Sequence, residues 1–81
     1  MKKVIQLKVR KDLDAHQQHT VIKLKGSLIS KGYTEIIHIV DQDDEFHINT
    51  FETAPENRNE VQEFIASFIS REKLTEMISF Q

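Results

Sequence analysis

Between residues 35 and 51, two runs rich in Ile, Val and Phe flank the acidic cluster Asp41, Gln42, Asp43, Asp44. That pattern commits the middle of the chain to a β-hairpin. A four-residue loop pairs Val40 with Glu45, Ile39 with Phe46, Ile37 with Ile48, and His38 with His47. One face of the hairpin is then wholly apolar. The other carries Ile36, His38, Val40, Glu45, His47, Asn49 and Phe51, a mixed surface suited to a sheet buried on one side. A one-residue slip would exchange the faces of one strand and mix the inner set, so the pattern favours this register.

The flanking elements follow from periodicity. Residues 3–9 alternate, with Ile5, Leu7 and Val9 on one face and Val4, Gln6, Lys8 and Arg10 on the other, as in a half-buried strand. Asp14 and Gln17 have capping-box spacing, with Asp12 as a competing cap, and predict a helix running to about residue 31. Val21, Ile22, Leu24, Leu28 and Ile29 fall on one arc of that helix, opposite His16, His19, Lys23 and Ser27. Gly32 suits the left-handed position that ends it. A second helix starts near either of two capping-box pairs, Thr53 with Glu56 or Asn57 with Glu60. Its stripe of Val61, Phe64, Ile65, Phe68 and Ile69 ends near residue 70 or 71, because Glu72 would fall on the same stripe. Residues 77–80 read as a last strand, although Leu74, Met77 and Ile78 also have helical spacing.

No repeat, low-complexity tract or Pro/Gly-rich linker divides the 81 residues, so a single domain over 1–81 is expected. The order β-α-β-β-α(-β), with right-handed crossovers, gives an α+β two-layer sandwich on the ferredoxin-like plan, both helices on one face of an antiparallel sheet. The third strand should lie between the first and second. The last segment, if a strand, closes the edge of the first; if helical, it leaves that edge open to a partner.

Composition removes several classes of function. A chain this short buries only roughly 60 to 65% of its unfolded surface, which leaves little room for a deep catalytic cavity. It has no Cys, so thiolate metal sites, disulfides and thiol nucleophiles are excluded. Met1, Lys2 and Lys3 lead into a strand-like pattern and not into an apolar signal segment, and no apolar run spans a bilayer. A cytoplasmic protein without membrane contact is the expectation. The net charge of −2 hides a split: eight Lys and Arg against Asp12 and Asp14 in residues 1–34, and three against eleven acids in residues 35–81. Such asymmetry marks a basic face or cancels where the halves interleave.

No catalytic constellation emerges, and a non-enzyme without cofactor or metal is expected. His38 and His47, opposed with Cβ atoms roughly 4.5 to 5.5 Å apart, lack a third ligand for a metal. Their shared protonation should instead lower stability as pH falls below about 6.5. His16 and His19 have no carboxylate on their arc. The acidic hairpin loop lacks the EF-hand glycine and final Glu. There is no Gly-rich phosphate loop and no G-x-S-x-G.

The remaining expectation is a small protein-interaction or regulatory module acting through the open sheet face or the first-strand edge. Its partner is another protein or a second copy in a homodimer. Val4, Ile36, Val40 and Phe51 motivate it as an apolar patch on a face no helix covers. The binding set is Lys8, Arg10, His38, His47, Asn49 and Phe51. The alternative is a nucleic-acid-binding domain using the basic first third. Against it stand the acidic loop, the lack of Gly in the central strand, and a register that points Phe46 inward.

Overall fold

The computed structural model describes residues 3–81; Met1 and Lys2, expected to lead into the first strand, lie outside the described residues. The elements are β1 (Lys3–Arg10), α1 (Ala15–Ser30), β2 (Ile37–Asp41), β3 (Phe46–Thr53), a single 3-10 turn at Pro55–Asn57, α2 (Arg58–Arg71) and β4 (Ile78–Phe80). The sheet is antiparallel in the order β2-β3-β1-β4, with both helices on one side, consistent with a ferredoxin-like two-layer α+β fold. β3 lies between β2 and β1 as expected, and the last segment is a strand paired with β1.

Local chemistry sets the boundaries. The Asp14 carboxylate accepts from the Gln17 amide at 2.8 Å, while the Gln17 side chain accepts from the Asp14 amide at 3.0 Å, so the capping box starts α1. Gly32, at φ +78°, ends it: the Tyr33 amide donates to the Leu28 carbonyl and the Gly32 amide to that of Ile29. Neither expected pair caps α2 through its side chain. Asn57 occupies the cap position without a side-chain hydrogen bond, and Thr53 is the last residue of β3. Pro55 instead opens the 3-10 turn that leads into the helix.

The core joins Ile5, Leu7 and Val9 of β1 to Val21, Leu24 and Leu28 of α1, Val61, Ile65, Phe68 and Ile69 of α2, and Phe51, Leu74 and Ile78. Ile22 and Ile29, read as part of the buried arc of α1, are 64% and 47% exposed. The apolar arc is wider than the surface the helix has to pack against.

The hairpin register differs from expectation. Ile37 pairs with Phe51, His38 with Thr50, Ile39 with Asn49, Val40 with Ile48, and Asp41 with His47. Relative to the expected pairing, this is a shift of three residues. An odd shift exchanges the faces of β3 relative to β2. The cause is the turn: the Asp43 carboxylate accepts from the amides of Glu45 and Phe46 at 2.8 and 2.9 Å, and the Gln42 amide donates to the Phe46 carbonyl. This Asp-centred turn closes the hairpin between Gln42 and Phe46, not between Val40 and Glu45. Those two amide bonds, led by the one from Glu45, also hold the Asp43 carboxyl below its ordinary pKa.

Phe51 is therefore core, 1% exposed between Ile37 and Ile5 of the neighbouring strands. His47 and Asn49 face the helices, while Phe46 and Ile48 face out. His38 and His47 lie on opposite faces, so the coupled pH response expected from their apposition has no structural basis. The two halves of the charge split interleave in the sheet, where basic β1 runs between β3 and β4 of the acidic half.

Gly26 sits inside α1, with open space where a Cβ would go. Gly26→Ala should therefore stabilise the protein by about 0.5–1 kcal/mol through lower unfolded-state entropy. A urea or thermal melt reads this directly, and an unchanged or lower midpoint would refute it.

Candidate functional site

Two surfaces are built by the strand faces. On the open side, β1 presents Val4, Gln6, Lys8 and Arg10, β3 presents Phe46, Ile48, Thr50 and Glu52, and β2 presents His38 and Val40, with Ile36 just before it. Of the expected binding residues, Lys8, Arg10 and His38 lie here. Lys8 Nζ stands 4.2 Å from the Phe46 ring centre and Arg10 Cζ 5.5 Å from it, both within cation–π range. Arg10 also donates to Asp12 at 2.9 Å; that hydrogen bond raises the guanidinium pKa and lowers that of the carboxyl. Phe46 thus has its ring partly occupied by cations of the same sheet.

Apart from Val4 of β1, which is 55% exposed, the exposed aliphatic part of this surface gathers toward β2. Ile36 is 61% exposed and Val40 59%, and Ile48 beside Val40 is half-buried. No described residue pairs with the outer edge of β2, so its backbone groups on that side are free to pair. The opposite edge, β4, is three residues long.

On the helix side, α1 covers Ile37 but leaves the Ile39 end of β2 uncovered. A groove of about 260 Å³ runs between them, lined by Val21, Ile22 and Lys25 of α1, Ile39 of β2, and His47 and Asn49 of β3. His47 and Asn49, two further residues of the expected binding set, are therefore found here and not on the open face. Asn49 is 2% exposed and its Oδ1 has no hydrogen-bond partner; His47 Nδ1 lies 3.0 Å from Asp41 Oδ1 without hydrogen-bond alignment. Lys25 is half-buried, forms no ion pair among the described residues, and has its pKa lowered by burial. Its neighbours Lys11 and Arg10 already face Asp41 and Asp12.

Phe46, Ile39 and Lys25 are site residues that alternation alone does not reveal. The signal for Phe46 is Asp43, whose carboxylate fixes the turn. Ile39 and Lys25 become visible only once the position of α1 over the sheet is known. Among the described residues, no three His, Asp or Glu side chains gather where they could hold a metal ion, and no helix is long and apolar enough to cross a membrane. Comparison with known proteins finds no matching family model, no matching curated protein and no matching solved structure.

Proposed function

We propose that the chain is a non-catalytic protein-binding module that docks its partner on the β2 side of the sheet, through the edge of that strand and the adjoining open face. The observation that carries this reading is the exposure of Ile36, Ile39 and Val40, at 61, 53 and 59%, on and just before a strand with a free edge. Isolated exposed aliphatics are ordinary, but three beside one unprotected strand edge, Ile36 and Val40 on the open face and Ile39 on the helix face, give that edge apolar surface on both sides that gains from being covered. The first-strand edge is not available for this, since β4 pairs with β1.

A photo-crosslinking residue at position 40, compared with one at position 63 on the exposed side of α2, tests the proposal. Partner or self adducts should form at 40 and not at 63, and Ile39→Lys should reduce them at least about tenfold, because burying an unpaired charge is costly. No adduct at 40, or equal adducts at both positions, overturns it.

Phe46 favours a second reading, because it lies on the open face of the central strand beside Lys8 and Arg10. An aromatic ring among cations is the minimal platform for a single-stranded nucleic acid. Single-stranded RNA at low salt should then shift Lys8, Arg10 and Phe46 signals, with the effect falling steeply as salt rises. Unmoved signals at low salt exclude this reading.

A further inference from the structure

Ile39 belongs to the helix-covered face of the sheet and is nevertheless 53% exposed. The reason is the placement of α1. It packs Val21, Leu24 and Leu28 into the core and turns Ile22 and Lys25 toward the groove beside β2, while Ile29, seven residues on from Ile22, has the same helical heading. Ile22 is 64% and Ile29 47% exposed. The groove is thus walled by aliphatic side chains, has a cation in its middle, and is bounded below by an unpaired strand edge.

One shape satisfies all of these features at once. A fifth strand paired with β2 would use the free backbone groups, set alternate side chains against Ile39 and Ile22, and set the intervening ones against Ile36 and Val40. Charge narrows its composition. Lys25 is half-desolvated, whereas Arg10 and Lys11 are already engaged. Exposed acids stand at both ends of the edge: Glu35 before β2 and Asp44 after its apolar stretch, next to Asp41 and Asp43, which already meet Lys11 and the turn amides. The other edge offers a shorter ladder, because β4 presents only three residues.

We infer that the groove between α1 and β2 receives an extended segment of a partner protein as an added strand. That segment has apolar residues at alternate positions, a central carboxylate facing Lys25, and basic residues at its ends. The inference rests on the docking proposed above and specifies the form of the partner. The carboxylate supplies the counter-charge that Lys25 lacks, and the basic ends meet the acids flanking the strand. Binding by a second copy through the same edge would bring the two Lys25 side chains toward each other, with no acid placed between them. A heterologous segment fits the charges better.

The test uses the peptide Lys-Ile-Thr-Glu-Val-Ile-Lys, its Gln-for-Glu counterpart, and a version N-methylated at alternate amides, each titrated into the isotope-labelled full chain. The first peptide should shift and protect alternate amides of residues 37–41 and move Ile22 and Ile39 methyl signals. Its affinity should exceed that of the Gln version by about three- to tenfold, as for a partly desolvated ion pair. Lys25→Met, which keeps the stem, should remove that preference. Binding of the N-methylated peptide equal to that of the first, or equal binding of the Glu and Gln versions to the unaltered chain, overturns the inference. If no peptide binds while crosslinking at position 40 still yields adducts, strand addition is wrong and docking on this side stands; if the adducts are also missing, docking itself has failed.

Discussion

Replacing Phe51 with Ala is expected to remove about 3–5 kcal/mol of folding stability, the usual cost of deleting a buried aromatic ring and leaving its cavity. The residue is 1% exposed, at the middle of the central strand pair, with Ile5 on one side and Ile37 on the other. Domains hold roughly 0.05–0.15 kcal/mol per residue, about 4–12 kcal/mol for this length, so the loss takes at least about a quarter of what is available and all of it at the low end. Urea unfolding followed by circular dichroism should show a variant that is largely unfolded or melts far below the parent. Phe46→Ala, on the open face, should cost about 1 kcal/mol or less, mainly the cation–π contacts with Lys8 and Arg10. Were the two effects reversed in size, Phe46 and not Phe51 would face the helices, and the hairpin register would be the one expected from alternation.

Asn49→Leu should act in the opposite direction and raise stability by about 1–3 kcal/mol. The amide is buried with Oδ1 unpartnered, between Leu7 and Ile39 on the neighbouring strands. A buried polar atom without a hydrogen bond forfeits its hydration and gains nothing in return, and an apolar side chain of similar size escapes that penalty. Leu at this position also meets aliphatic neighbours across both strand pairs. A rise in the urea midpoint without a change in m-value is the expected result. A fall would mean that the amide has a partner in solution, and that the polar end of the groove is built for strength rather than tolerated.

The sequence and the structure agree where a single periodicity or cap decides the outcome. Ile5, Leu7 and Val9 alternate and are buried; Val61, Ile65, Phe68 and Ile69 recur at helical spacing and are buried; Asp14 and Gln17 close a capping box. They part where two signals compete. In β3 the apolar residues Phe46 and Ile48 share one parity and Phe51 has the other, so alternation alone favours burying the first two. The structure buries Phe51, because the Asp43 turn sets the pairing and the central row then brings three large apolar residues together. His47 and Asn49 follow Phe51 inward by parity. Half of the expected binding set thereby left the open face. For Ile22 and Ile29, the helical arc identifies an apolar side but not what lies opposite, and the uncovered β2 is a property of packing that no local pattern records.

The strand order also dictates when the sheet can form. β1 opens the described chain yet occupies an interior position, paired on one flank with β3 and on the other with β4. Each pairing joins residues separated by most of the sequence: Lys3 with Thr53, and Leu7 with Phe80. The β2–β3 hairpin, by contrast, closes across three residues between Gln42 and Phe46 and requires only a local search. Loop-closure entropy therefore ranks the steps. The hairpin and the two helices assemble from neighbours, whereas β1 gains its second flank only after β4 has emerged. Until then Leu7 and Val9 lie on a strand with one side unpaired, so the slow stage of folding is also the stage at which this chain is most open to pairing with another.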